Sequence, residues 1–173
     1  MKRVIVPIAA GVEEMEAVIM IDIFRRAGWE VVAVGLNARI VSAARGVRLV
    51  PDAAWTAITP TEFDILAFPG GLKGVEALCG IGPILETARS FHSNDKLIGA
   101  ICAAPLILHK AGILANRRFT SHPSVRYQLP ASGWTDSAVV ADGNIVTGKG
   151  AGSTFAFALA LVRQAGDRDK AEE

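Results

Sequence analysis

The chain has 173 residues, enough for one domain with a substantial core, and it is 51% hydrophobic and 20% charged. Eighteen basic residues against seventeen acidic ones leave a formal net charge of +1, so the balance points to neither nucleic acid nor an anionic membrane as a partner. Two cysteines do not build a disulfide framework, no secretory signal pattern opens the chain, and no apolar run approaches the roughly 20 residues of a membrane span; together these predict a reducing cytoplasm.

Arg3 to Ala10 is a largely apolar run of the kind a buried parallel strand shows, and Gly11 breaks it. From Glu13 to Ala27 the apolar positions Met15, Val18, Ile19, Ile23 and Phe24 recur at helical spacing. Glu13, Glu14 and Glu16 at its start and Arg25 and Arg26 near its end suit the helix dipole, and Gly28 closes it. Trp29 to Leu36 is a second strand, and this strand–helix–strand unit predicts a parallel sheet with a right-handed crossover. Ile40 to Ala57 reads as a short β excursion. Asp64 to Phe68 is another buried strand, stopped by Pro69-Gly70-Gly71. A helix is predicted over Ile81–Phe91, a strand over Leu97–Ile101 and a helix over Ala103–Ala111. Ala138–Val140 and Ile145–Val146 flank Asp142-Gly143-Asn144 as a hairpin. Ser153 to Gln164 is an alanine- and phenylalanine-rich buried helix, and Gly166 to Glu173 a charged, frayed tail. With no repeat or linker, residues 1–173 read as a single α/β domain. Its predicted architecture is flavodoxin-like and doubly wound, a mostly parallel sheet sandwiched by helices, and such folds bind ligands at the C-terminal ends of their strands.

Three segments meet at that edge: Gly11 to Glu16, Pro69-Gly70-Gly71, and Cys102 with its following turn. A strand-to-helix turn at Cys102 presents the thiol above the sheet and against the next helix N-terminus, which favours the thiolate. This predicts a thiol that loses its proton more easily than a free cysteine; the alternative is a small buried hydrophobe, as most free cysteines are. Glu16 either complements the helix dipole, as Glu13 and Glu14 do, or is a desolvated acid that stays protonated and donates to the sulfur. Gly70 and Gly71 make either a tight turn or, with Ala103, a set of backbone N–H groups for an anion. Gly71-Leu72-Lys73-Gly74 has neither phosphate-loop nor dinucleotide spacing. His122, before Pro123, is either a structural loop histidine or an acid/base group. His92 and His109 read as solvent-facing and Cys79 as a structural loop residue, and these scattered residues make no zinc site.

The ordered motifs resemble the ThiJ/PfpI superfamily, in the branch that contains the parkinsonism-associated protein deglycase. They are Gly11-Val12-Glu13-Glu14-Met15-Glu16-Ala17-Val18, Asp22 to Gly28, Ala43 to Val47, Phe68-Pro69-Gly70-Gly71, Ala100-Ile101-Cys102-Ala103-Ala104-Pro105, Thr120-Ser121-His122-Pro123 and Thr147 to Ser153. The resemblance covers nearly the whole chain. It implies a flavodoxin-like fold and a homodimer. It implies Cys102 as nucleophile, Glu16 as the acid bonded to it, and Gly70, Gly71 and Ala103 as anion-binding positions. His122 matches a nearby histidine, and Arg26 and Arg45 match arginines of the pocket or dimer side.

The activity implied is conversion of a 2-oxoaldehyde to a hydroxy acid, or release of early glycation adducts from side chains, with no metal or organic cofactor. Oxidation of the thiolate to a sulfinic acid implies a second reading, a redox-responsive chaperone or sensor. Ala103 stands where peptidase-like members carry histidine, which argues against a cysteine peptidase. The chain also stops soon after the helix ending at Gln164, where long members of the branch continue into another helix.

Overall fold

A computed structural model describes residues 1–37 and 39–172. Strand β1 (Arg3–Ile8) is followed by helix α1 (Glu14–Arg26) and strand β2 (Glu30–Gly35). Short strands β3 (Val41–Ser42), β4 (Arg48–Leu49) and β5 (Ala53–Ala54) lead to β6 (Ile65–Phe68), α2 (Leu72–Cys79) and α3 (Gly82–Ser93). Then come β7 (Leu97–Ile101), α4 (Pro105–Lys110), β8 (Val139–Asp142), β9 (Ile145–Gly148) and α5 (Thr154–Gln164). Seven strands form one sheet in the order β5-β2-β1-β6-β7-β9-β8, in which only β8 runs antiparallel to its neighbour; β3 and β4 make a separate hairpin.

The strands form where they do because both faces of the sheet are covered, and alternate side chains serve opposite layers. Ile5, Leu66, Phe68 and Ile98 pack under α2, α3 and α4 with Val75, Ile84, Phe91 and Ile107. Val4, Val6, Ile65 and Ala67 face the other way, against Met20 and Phe24 of α1 and Phe157 and Leu161 of α5. This is the predicted sandwich, and it brings the C-terminal ends of β1, β6, β7 and β9 to one edge.

Two sequence expectations fail. The segment after Gly71 is a helix, α2, and Cys79 is its last residue, half-buried. The tail is tied down through the described residues: the Trp29 indole N–H donates to Asp167 at 2.7 Å, and Ala171 is buried in a closing 3₁₀ turn. No described helix is long and apolar enough to cross a membrane.

Candidate active site

Cys102 follows the last residue of β7 with φ +64°, a left-handed conformation that costs a residue with a Cβ roughly 1–2 kcal/mol. Two long-range hydrogen bonds impose it. The Cys102 N–H donates to the Gly148 carbonyl of β9 at 2.9 Å, and its carbonyl accepts the His122 N–H at 2.8 Å. The side chain is thereby turned up from the sheet edge toward the loops that follow β1 and β6.

Glu16, in the first turn of α1, is fully buried. Its Oε2 accepts the Gly70 N–H at 2.7 Å, while Oε1 is buried with no N–H or O–H donor bonded to it. The peptide of Gly70 lies between acid and thiol. A Cβ there would stand 2.6 Å from Glu16 Oε2, 2.6 Å from Cys102 Cβ and 3.1 Å from Cys102 Sγ, so only glycine fits. Burial raises the Glu16 carboxyl to about 7, against the opposing hydrogen bonds from Gly70 and Cys102. A half-satisfied carboxyl in an apolar setting holds its proton for this reason.

The thiol is also pushed up, to about 12: burial first, then the Glu16 charge and its hydrogen bond, outweigh the N–H groups of Gly71 and Ala103 that act on the sulfur. This corrects the expectation of a readily ionised cysteine. The helix α4 starts only at Pro105 and is six residues long, so its field is weaker than desolvation beside a carboxylate. The two groups titrate as a pair, and when Glu16 carries the proton the charge that opposes the thiolate is gone.

The described residues hold no cluster of three or more His, Cys, Asp or Glu able to bind a metal ion. The DJ-1/PfpI family model matches residues 2–164. The chain belongs to the DJ-1/PfpI family. It is 38% identical over 175 residues to protein dj-1beta of Drosophila melanogaster, covering 99% of this chain and 94% of that one. It is 36% identical over 152 residues to a Caenorhabditis elegans relative named glutathione-independent glyoxalase DJR-1.2, covering 87% of this chain and 81% of the relative. The structure of Toxoplasma gondii DJ-1, described as oxidized, superposes with a TM-score of 0.94 at 34% identity, covering 99% and 95% of the two chains.

In this DJ-1/PfpI domain the expected site residues divide into two groups. Cys102, Glu16, Gly70, Gly71 and Ala103 come together. Gly70 is not a free anion donor, however, because its N–H is already given to Glu16. His122 is linked to Cys102 through its backbone, but its ring is exposed and turned to its own turn. Nδ1 accepts the Ser124 N–H at 3.2 Å and lies 2.7 Å from Ser124 Oγ. Nδ1 is therefore not available as a base toward Cys102.

Arg26 ends α1, roughly 15 Å along the helix from Glu16 at 1.5 Å per residue, and pairs with Asp22 at 2.7 Å. It is not part of this chain's own pocket. Arg45 lies in the β3–β4 turn with its side chain exposed, and its backbone N–H donates to Glu14 at 2.8 Å. His92 is half-buried rather than solvent-facing, with Nδ1 3.1 Å from Asn144 Oδ1, while His109 is exposed. Sequence reasoning missed Glu14, which is 7% exposed and turned into the hairpin rather than into water. The dipole reading satisfied Glu13 and Glu14 equally and gave no signal to separate them.

Proposed function

We propose that the protein is a cysteine enzyme acting on reactive carbonyls, converting a 2-oxoaldehyde to a hydroxy acid without a metal or organic cofactor. One observation carries this reading. A fully buried carboxyl with its pKa raised to about 7 shares a water-poor site with a thiol whose sulfur is faced by two backbone N–H groups. Such an acid can take and return a proton near neutral pH.

The steps follow from that pair. The Glu16 carboxylate accepts the thiol proton as Cys102 Sγ attacks the aldehyde carbon, and it returns the proton to the resulting alkoxide. The product is a hemithioacetal with no net proton change. Glu16 then removes the hydrogen on that carbon and delivers a proton to the adjacent carbonyl carbon, by way of an enediol, leaving a thioester of the hydroxy acid. Water cleaves the thioester and restores the thiol. The N–H groups of Gly71 and Ala103 stabilise negative charge on sulfur as it attacks and as it leaves. The name of the nematode relative supports the same chemistry. The pair would also open the adducts that such carbonyls form on protein side chains.

The proposed working form is a homodimer, supported by the large apolar side chains of Met15 and Val18 of α1 and of Val47 and Val50 in and just after the neighbouring hairpin, which are about half exposed or more. The test is lactate formation from methylglyoxal by the metal-free protein, with Cys102→Ser and Glu16→Gln alongside. Turnover of ~1 per second or faster is expected, lost in the first variant and nearly lost in the second. A folded protein with negligible turnover, or activity that survives Cys102→Ser, overturns the reading.

A second reading is favoured by the same N–H groups, which suit the oxygens of a sulfinate, and by the oxidized state of the Toxoplasma relative. A redox sensor or redox-responsive chaperone predicts peroxide oxidation at Cys102 ahead of Cys79, though both are half-buried, read by mass spectrometry.

A further inference from the structure

Glu14 is a buried carboxylate that the chemistry above does not use. It is 7% exposed; Oε1 accepts the Arg45 N–H at 2.8 Å, and Oε2 is buried without a hydrogen bond. Burial is the largest single influence on the carboxyl and pushes it up, but the backbone N–H groups of Glu14 itself, Arg45 and Val47 together outweigh it and hold the group below its ordinary range. An ionised side chain, turned away from water, thus sits inside the turn that joins β3 to β4.

That turn is strapped to the catalytic edge. The Gly11 N–H donates to the Ser42 carbonyl at 2.8 Å, and the Ala44 N–H donates to the Val12 carbonyl at 2.8 Å. The loop so held is the one against which the anion-binding peptide rests. The Glu13 N–H donates to the Gly70 carbonyl at 3.0 Å, and Gly71, at φ +87°, lies so close to Gly11, Val12 and Glu13 that a Cβ would meet all three backbones. The N–H of that same peptide, Gly71's, is directed at the sulfur, and the Gly70 N–H of the peptide before it is bonded to Glu16.

The geometry points to Glu14 as a positioning residue. Its carboxylate anchors the hairpin turn, the turn fixes the loop at 11–13, and the loop keeps the Gly70–Gly71 peptide aimed at Glu16 and Cys102. The inference rests on the proposed reading of the site, and it assigns to Glu14 a reach across 31 residues of chain rather than a share in the helix dipole.

Reach and charge can be separated. Glu14→Gln keeps the length and an oxygen acceptor for Arg45 but removes the charge. Glu14→Asp keeps the charge at the helix start but is one methylene too short. The readout is the rate of Cys102 alkylation by iodoacetamide from pH 6 to 10, with Cys79 replaced by alanine, together with kcat and KM for methylglyoxal. Positioning predicts that Glu14→Asp lowers the alkylation rate about tenfold across this range and lowers kcat with KM little changed. Removing an anion-hole donor outright costs about 10²–10³ in rate, and a displaced donor costs less. Glu14→Gln is expected to stay within about threefold of wild type in each quantity.

The opposite order, Glu14→Gln impaired and Glu14→Asp normal, would show a dipole role and overturn the inference. So would two variants that lose thermal stability while the alkylation profile stays unchanged. Lack of methylglyoxal turnover in the wild type would strike the carbonyl reading instead, and the order of alkylation rates would still decide this one.

Discussion

Glu16→Gln should stabilise the folded protein in alkaline solution and do nothing for it in acid. The fully buried Glu16 carboxyl titrates at about 7 in the fold against 4.5 as the ordinary value. Below pH 4.5 the group is protonated folded and unfolded alike, and its ionisation contributes nothing to stability. As pH rises toward 7 the unfolded chain releases a proton that the folded chain retains, so the folded state loses ground; above 7 the loss is complete. At ~1.4 kcal/mol per pH unit the full gap amounts to about 3 kcal/mol.

Cys102, pushed up to about 12, stays protonated in both states through this window, so the pair releases a single proton. Glutamine keeps an oxygen for the Gly70 N–H and cannot ionise. Any fixed packing difference from its amide is independent of pH, so the change with pH is the signal. Urea unfolding of wild type and Glu16→Gln at pH 5, 6, 7 and 8 should show the variant gaining by about 2.5 kcal/mol across the series, the rest of the gap being lost already at pH 5. That is about 5–10 °C in Tm for a chain of this length. Parallel stability curves, or a wild type that gains on the variant as pH rises, would refute a desolvated acid at this position.

Gly70→Ala should abolish turnover by at least ~100-fold and cost about 1–3 kcal/mol, because its Cβ would stand 2.6 Å from both Cys102 Cβ and Glu16 Oε2; steady-state kinetics and urea unfolding check both, and an active variant would contradict the geometry. Asp167→Ala should lower stability by about 1 kcal/mol by leaving the Trp29 indole N–H without its acceptor, and it should expose the last turn to proteolysis, read by limited trypsin digestion.

The apolar runs of β1, β6 and β7 were legible because each is covered on both faces, and burial on both faces leaves a continuous signature in the chain. Cys102, Glu16 and the two glycines were legible for a related reason: each follows such a run, and every parallel strand delivers its following loop to the same edge. Helix α2 was not. No helix was expected between Gly71 and Cys79, and Gly74 weakens that pattern, yet it is needed inside the helix because a Cβ would lie 2.9 Å from the Val12 backbone nitrogen. The tail looked frayed because its anchor, Trp29, lies 138 residues earlier. The direction of the thiol's shift escaped as well, since a strand-to-helix turn reveals the nearby N–H groups but not how much water the fold removes.

The left-handed backbone at Cys102 puts the sulfur and the fold at odds. A residue with a Cβ carries a steric penalty of roughly 1–2 kcal/mol in that conformation, and glycine does not. Of all replacements at this strand end, glycine alone would remove the sulfur and the backbone strain together.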